Sequence, residues 1–589
     1  MARGAGLKPA ARGSGLTLSG DVVAVLGAAF QIGRSALAAY QSVINVTGQN
    51  IANVDNADYA RQSGPLAALH GVTDYGASPG AGIEIAALTR HIDQALESRL
   101  RMARGDQNAA QTKYGALSQV EALYNELTEY DLSTQLNSFF QSFSDLATDP
   151  TETTTRDLVL SAADAVVQTL RRMRTGVLTQ IDDLNDAATQ TVTQVNQITS
   201  EVARLNTQIV ATEARAPGGA AALRDRRDGL LRDLGELVEV RVREQDNGLV
   251  TVYAGSEPLV DFDRARAVTT QTTLTDGVER ISVRFADNCG SVLLRGGKLA
   301  ALAETRDTHL VGQLDQLDEL AAALIYEVNR VHTQGRGLIG YANLTGTYAV
   351  TDAGAALNST QAGLAFPVRN GTLFVHVRDQ STGETISRMI EVDLDGLNDD
   401  DTTLATLASA LGSAPHITAG LTTDNRLTLV ADAGYEISFS EDTSGALAAL
   451  GIGTFFDGID AGTLAVKTEV ASDGRRIAAS ASGAEGDGTN ANLLALVGEQ
   501  ASDLLQGASV LGYHESLITT LGADTSAAQT EYDAASAVYD SLLAQREATS
   551  GVSLDEESIK LTQYETAYEG AARFISVLQS LSASVLEMV

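Results

Sequence analysis

The chain has 589 residues, with 41 basic against 75 acidic side chains and a formal charge of −34. It is therefore too long for one core and poorly matched to nucleic acid or an anionic membrane. A lone cysteine, Cys289, excludes an intramolecular disulfide, and no run approaches the roughly 18 to 20 apolar residues of a membrane span.

Residues 1–20 carry Arg3, Lys8 and Arg12 with no acid before Asp21, and read as a disordered basic extension. The apolar run after Asp21 is short and leads into a helix rather than a small-residue cleavage site, unlike a secretory signal. Phe30, Gly33, Leu37, Tyr40, Ile44, Thr47, Ile51 and Val54 then recur at steps of three and four. That narrow apolar seam predicts a coiled-coil helix. Gly80 and Gly82 ahead of Ile83 and Ile85 predict a short β segment within 64–90. Long helices are predicted from Ile92 to Ala147, ended by Asp149-Pro150, and from Thr155 to Ala214, stopped by Pro217-Gly218-Gly219.

A short amphipathic helix starting near Leu223 carries Arg224, Asp225, Arg226, Arg227, Asp228, Arg232 and Asp233. Alternating signs on a helix predict a solvated, salt-bridged face rather than a ligand site. Glu239–Arg243 and Leu249–Tyr253 form a hairpin candidate around Asn247-Gly248, followed by strands near Ile281–Phe285 and Val292–Leu294. Leu310, Leu314, Leu317, Leu320, Leu324 and Val328 mark a helix from Lys298 to His332. Residues 335–474 change character to Gly-, Thr- and Asp-rich, with strands near Phe374–Val377, Met389–Val392, Leu427–Val430 and Tyr435–Phe439 and a helix over Thr403–Leu411. Helix returns from Asn490 to Gln545.

After Gly551 the chain reads LDEE, placing Asp555, Glu556 and Glu557 in a first helical turn, where the helix dipole favours negative charge. Leu561, Tyr564, Tyr568, Ala571, Ile575, Leu578, Ser582, Val585 and Val589 then form a second seam. Such a seam is unstable alone in water, so the two ends are expected to pack together with everything else inserted between them. The expected fold is mainly α, an elongated nested multidomain subunit with inserted β or α+β modules. Its expected parts are the extension 1–20, a terminal coiled coil (21–63 with 550–589), a helical bundle (64–334 with 475–549, including small β elements at about 239–295) and an outward α+β insert (335–474).

Around the first seam the chain reads SALAAYQSVINVTGQNIANVDNADYARQS, Ser35 to Ser63, and the last seam is introduced by GVSLDEESIKLTQYETAYEGAARFISVL, Gly551 to Leu578. Both stretches resemble the axial flagellar proteins of bacteria (rod, hook and hook-associated proteins), whose first helix ends in an A-N-x-x-T-P-G-Y-like loop. Ala52 and Asn53 match that loop, and Tyr59 and Arg61 follow it. Asn56, Ala57 and Asp58 depart from it, standing where threonine, proline and glycine are usual. The stretches from Gly82 to Arg101, from Leu223 to Val260 and from Gly296 onward are similar to the family too, the last two and the C-terminus most of all to its hook-associated members. The resemblance spans roughly residues 30–335 and 490–589.

It implies a structural subunit of the flagellum at the hook–filament junction, self-assembling through Leu37, Tyr40, Ile44, Ile51, Val54, Leu561, Tyr564, Tyr568, Ile575, Leu578 and Val585. Implied partners are further copies of the chain, the hook protein, the next hook-associated protein and an export chaperone on the C-terminal helix. Export without a cleaved signal is implied as well. Alternatives are another axial protein (hook or distal rod), an exported adhesin or enzyme acting through residues 335–474, and a cytosolic coiled-coil scaffold.

Little in the sequence points to catalysis. His70, His91, His309, His332, His376, His416 and His514 are scattered, with no H-E-x-x-H and no spaced Cys/His set. No P-loop, G-x-G-x-x-G after a strand or G-x-S-x-G is present. Cys289 is expected to be a small buried residue. Asp393, Asp395, Asp399, Asp400 and Asp401 with Gly396 lack the order of an EF-hand and are expected to form a solvated turn. No cofactor and no metal are expected.

Overall fold

A computed structural model describes residues 18–69, 80–124, 131–216, 218–275, 277–398 and 400–587. The first helix, α1 (Leu18–Ala52), begins inside the stretch expected to be an extension. Nothing between Leu18 and Asp21 interrupts it, and residues 1–17 lie outside the described residues. Against α1 lie β1 (Gln62–Ser63), β2 (Leu66–Leu69), β3 (Gly82–Ile85) and β4 (Thr89–Arg90), paired antiparallel as β1–β4 and β2–β3.

The single helix expected from Ile92 to Ala147 is instead two, α2 (Gln94–Tyr124) and α3 (Leu132–Thr148). Asp131 starts the second, its Oδ1 accepting from the Thr134 N–H at 2.6 Å, an N-cap that satisfies one free donor of the new helix. The separate α3 buries Leu132, Leu136, Phe139 and Phe143 in the core it shares with α4 (Thr153–Glu213). At 61 residues α4 is the spine of the molecule, about 90 Å long at 1.5 Å per residue. Pro217, expected to stop it, lies outside the described residues.

Folded back on α4 is α5 (Ala221–Leu237). The hairpin around Asn247-Gly248 is formed by β5 (Arg241–Glu244) and β6 (Val250–Ala254), which continue into β7 (Glu257–Asp261) and β8 (Arg264–Ala265) as a sheet ordered β5-β6-β7-β8. A separate two-stranded ribbon, β9 (Val268–Thr275) with β10 (Val278–Phe285), lies along α4. The strand expected at Val292–Leu294 reduces to a bridge at Ser291 and one Val292 N–H bond to Val283.

The helix expected from Lys298 to His332 is interrupted. It runs as α6 (Gly297–Glu304), a π-helical turn at Thr305–Leu310 and α7 (Val311–His332). Arg306 accounts for the turn's position. It is 3% exposed and turns inward to donate to Asn185 Oδ1 at 2.8 Å and Ile281 O at 3.0 Å, tying the helix to α4 and the ribbon.

The inserted module holds β11 (Asn343–Thr345), β12 (Gly371–Asp379), β13 (Thr385–Val392), α8 (Leu404–Gly412), β14 (Ile417–Leu421), β15 (Leu427–Ala431), β16 (Tyr435–Ser440), α9 (Ala446–Leu450), β17 (Phe456–Asp457), β18 (Ala465–Val466) and α10 (Thr468–Ser472). Its main sheets are ordered β11-β15-β14 and β13-β12-β16, all antiparallel. The chain enters and leaves it through one exchange of hydrogen bonds, Arg336 N to Ser480 O at 2.7 Å and Ser480 N to Arg336 O at 3.1 Å. Phe455 and Phe456 reach out of it onto Phe139 of α3, with ring centroids 5.9 and 5.5 Å away. Bundle and insert therefore share one continuous hydrophobic core.

The helix expected from Asn490 to Gln545 is also divided, into α11 (Thr489–Ala495) and α12 (Val510–Ser550). Two 3-10 turns follow α11, Gln506 and Gly507 take positive φ, and Ser509 caps α12. The turn buries Leu505 and Val510, which a straight helix would separate. α12 runs antiparallel to α2, pairing Tyr114 with Tyr532, Lys113 with Glu531 and Glu97 with Arg546. After Gly551 comes α13 (Leu554–Glu587), antiparallel to α1. The fold is mainly α, nested around β modules, and among the described residues no helix is long and apolar enough to cross a membrane.

Candidate assembly interface

The two end seams lie together. Gly33 sits against Ile575, so close that a Cβ there would stand 2.6 Å from Ile575 Cγ1. Along α13 the positions Leu561, Tyr564, Tyr568, Ala571, Ile575, Ser582 and Val585 are half-buried and Leu578 is buried, while nearly all residues between them are exposed. Along α1, Leu37, Tyr40, Ile44 and Ile51 are half-buried, as is Val54 just past its end, and Gly33 and Thr47 are buried. Outside that seam Ala39, Val43, Val46 and Asn50 are buried as well. These follow a second stripe at steps of four, three and four, turned toward β1–β4, where Val43 approaches Gly64. The sequence therefore carries two stripes on α1 where periodicity predicts one seam, because α1 is sandwiched and α13 is not.

Below the seam the two helices are joined by a polar knot. Asn50, 1% exposed, donates through Nδ2 to Glu557 Oε2 at 2.8 Å and to Gln62 O at 2.9 Å. Its Oδ1 accepts from Tyr59 Oη at 2.7 Å and Gln62 N at 3.0 Å. Glu557, equally buried, also accepts from Arg61 Nε at 3.0 Å and Lys560 Nζ at 3.1 Å. Burial raises the Glu557 pKa, but Asn50, Lys560 and Arg61 outweigh it and hold the carboxyl below its ordinary value. Burial, with the charges of Asp225 and Glu557, pushes the Tyr59 phenol up to about 12. Of the family-like loop, Tyr59 and Arg61 thus act within the knot, whereas Ala52 and Asn53 only close α1, Asn53 N–H bonding to Gln49 O.

A second knot fastens the loop to the bundle. Glu97, 3% exposed, lies between two arginines, accepting from Arg546 Nε at 2.8 Å and Arg232 Nη1 at 3.1 Å. Arg546 also donates to Ala57 O at 2.7 Å, and Arg232 to Asp58 Oδ1 at 2.6 Å. Arg90 bridges Asp225 and Asp228, each at 2.6 Å. The Arg/Asp run of α5 is therefore not the solvated face expected from its alternating signs. Asp225, Arg227 and Arg232 are buried, and their partners come from distant segments. The pairings of Asn50, Glu97, Arg232, Arg546 and Glu557 cannot be read along the chain, because Glu97 pairs across 135 and 449 residues and Asn50 across 507. No local spacing signals such pairs.

The family described as the flagellar hook-associated protein FlgK helical domain matches residues 117–346, from the end of α2 through β11. Flagellar hook-associated protein 1 of Salmonella typhimurium strain LT2 is 25% identical over 568 residues, covering 94% of this chain and 98% of that protein. The protein of the same name from Escherichia coli K12 is 24% identical over 571 residues, covering 93% and 97%. The chain is thus similar to flagellar hook-associated protein 1 along nearly its whole length. Its likeness to the solved flagellar hook junction protein FlgK of Burkholderia pseudomallei has a TM-score of 0.48 at 14% identity, covering 77% of this chain and 100% of that one.

In this chain the buried histidines serve packing. His332 donates from Nδ1 toward Gly453 O at 3.0 Å and accepts the Ala478 N–H at Nε2, also at 3.0 Å. His376 sits between Ser387 Oγ and Ser440 Oγ, at 2.6 and 2.7 Å. Burial pushes His332, His376 and His514 down to about 4, so all three are neutral at pH 7. His416 stacks on Tyr435 beside Asp432, His91 meets Ser63, and His309 lies 3.7 Å from Asp524. His70 lies outside the described residues.

Cys289 is not buried as expected but exposed, at a positive φ of 55° in the turn after β10. Carboxylate oxygens of Asp393, Asp395 and Asp401 lie within 4.8 Å of one another, and each carboxylate accepts an N–H of the same turn. Asp399 lies outside the described residues.

Proposed function

We infer that the chain is a structural subunit of the bacterial flagellum that forms the junction between hook and filament. The observation that carries this reading is the likeness to hook-associated protein 1 along nearly the whole of both chains. We read the chain as a subunit that works by assembly and not by catalysis. Its partners are further copies of itself, the hook protein on one side and the next hook-associated protein on the other. An export chaperone engages α13 before assembly, and the subunit leaves the cell without a cleaved signal.

Assembly proceeds through the terminal coil, residues 21–63 with 550–589. The bundle (64–334 with 475–549) positions that coil, and the insert (335–474) faces outward. Support comes from how little of α13 is covered. Among its described side chains only Glu557 and Leu578 are buried, and Ile559, Phe574, Val577 and Leu581 are 42% to 60% exposed. A helix with apolar residues on both faces gains most of its stability from neighbours, so the coil stays loose in the monomer and orders on assembly. Leu37, Tyr40, Ile44, Ile51, Val54, Leu561, Tyr564, Tyr568, Ile575, Leu578 and Val585 form its inner seam.

Limited proteolysis of the purified monomer tests this, with surviving fragments identified by mass. Both ends are expected to be lost together, while a large fragment from about residue 60 to 550 survives. Protected ends would mean a coil already stable in the monomer and would overturn assembly-coupled ordering.

A further inference from the structure

The β9–β10 ribbon has two chemically different faces. Val268, Val283 and Phe285 are buried toward α4, which grips the ribbon through Asn196 bonds to Val268. The register pairs Thr269 with Arg284, Gln271 with Ser282 and Thr273 with Arg280, so these six residues share the opposite face, which points outward until the ribbon's tip, where Val278 of the next pair turns into the core and Leu274 out of it. The Arg280 side chain makes no hydrogen bond or ion pair among the described residues, and that of Arg284 makes one hydrogen bond, to the Cys289 carbonyl. The Nε of each is buried from solvent without an acceptor. Carboxylates are plentiful in a chain with charge −34, and nearby Arg266 is held by both Asp287 and Glu257. Two neighbouring arginines on an outward face, each with a desolvated donor lacking an acceptor, are therefore set up to receive an anion from outside the subunit.

A matching surface lies on α12. Asp533, Asp540 and Glu547 recur every seven residues, so they form one line down the helix, about 10.5 Å apart at 1.5 Å per residue. All three are exposed and have no basic partner among the described residues. The exposed residues beside them, Ala537, Ala544 and Val538, are small or apolar and allow close approach. Arg280 and Arg284, four residues apart on a strand, are roughly 13 Å apart along the ribbon, within reach of that spacing for flexible arginine side chains. Within one subunit the two surfaces belong to different neighbourhoods: α12 packs on α2, and the ribbon on α4.

We propose that the outward face of the β9–β10 ribbon docks on the Asp533/Asp540/Glu547 stripe of α12 in a second copy of the chain. A contact between two different faces of identical subunits is heterologous, and repeating it closes a ring or extends a helix. Each exposed ion pair contributes little alone, but the arginines and the acidic stripe select one register, and repetition around an assembly multiplies the effect. This inference rests on the flagellar reading and names one lateral contact within it.

The test uses full-length chain expressed in a flagellated strain lacking its own homologue. In a Cys289→Ser background, Thr273→Cys and Ala537→Cys together are expected to give a ladder of self-cross-linked chains on oxidation of isolated flagella, with a peptide joining 273 to 537. Either cysteine alone gives none. Flagella that form without the ladder, or a link to a different protein, overturn the proposal.

Charge reversal supplies a second arm. R280E/R284E, or D533K/D540K/E547K, is expected to lower incorporation roughly tenfold, and the five changes together to restore it to within about twofold. Normal incorporation of both reversed sets, or failure of the combined variant to recover, overturns the contact while leaving the flagellar reading intact. If unmutated chain is itself absent from isolated flagella, that reading falls, and this contact with it.

Discussion

Along α4 the buried residues Val159, Leu170, Ile181, Val195 and Ile209 keep one face in the core from end to end, whereas α13, past its first turn, lies mainly along α1 and leaves both flanks of its seam in water. Both helices are long and both have apolar residues at helical spacing. The difference lies in what the chain supplies to cover them. α4 meets α3, α5, α6, α7 and the ribbon, so its stability is internal to the subunit. α13 is covered on one side only, which leaves the rest of its apolar surface to other molecules. Helical periodicity thus reports that a helix has a partner, and only the count of neighbouring elements tells whether that partner belongs to the same chain.

The largest test of this contrast is in the core. Phe139→Ala removes a fully buried ring packed on Phe140, Phe143, Phe455 and Phe456, and should cost about 3–5 kcal/mol in urea unfolding. Because the cluster spans bundle and insert, both should lose stability in one transition. Glu97→Ala leaves two buried guanidinium groups without their shared carboxylate and should cost about 3 kcal/mol, read in the same experiment.

Acid should separate the two regions. His332 is held neutral, with its pKa lowered from 6.5 to about 4 by burial, so below pH 6.5 the unfolded chain binds the extra proton. Core stability should therefore fall between pH 6.5 and 4, with His332 contributing up to about 3 kcal/mol beside His376 and His514, and His332→Gln should remove its share of that slope. Glu557 has the opposite chemistry. Its lowered pKa means stability is present above 4.5 and lost as pH falls below it, so cleavage near Gly551 should rise only in that more acidic range.

The smallest expected effect on the monomer is the most informative. Ile575→Asp should change unfolding of the middle by less than about 0.5 kcal/mol, since Ile575 is only half-buried, yet prevent incorporation into flagella. Normal incorporation of this variant would remove the seam from the assembly account.

Periodicity carried the element-level reading a long way. Residues 153–213 and 554–587 were legible because one apolar face persists for many turns, and the Asn247-Gly248 hairpin because its turn chemistry is local. The breaks were not legible. Asp131 and Ser509 are ordinary N-cap residues that become stops only once the chain must turn to bury Leu132 or Val510. The polar knots escaped because their spacing exists only in three dimensions. An alternating run such as Arg224–Asp233 looks the same whether its partners are neighbours on the helix or segments as far as 174 residues away. Asn50 and Glu557 were beyond inference for the same reason, although each belongs to a stretch that the family resemblance had already marked.

The exchange between Arg336 and Ser480 has a consequence for how the chain tolerates change. It closes a loop of more than a hundred residues at its neck, and the entropic cost of closure grows only with the logarithm of loop length, by about 0.6 kcal/mol per doubling. Sequence can therefore be added to or removed from the far side of the insert at small cost, provided the neck and the Phe455–Phe456 contact with α3 remain. The subunit is in effect a fixed socket with an exchangeable head, on which foreign domains could be mounted without altering the helices that carry them.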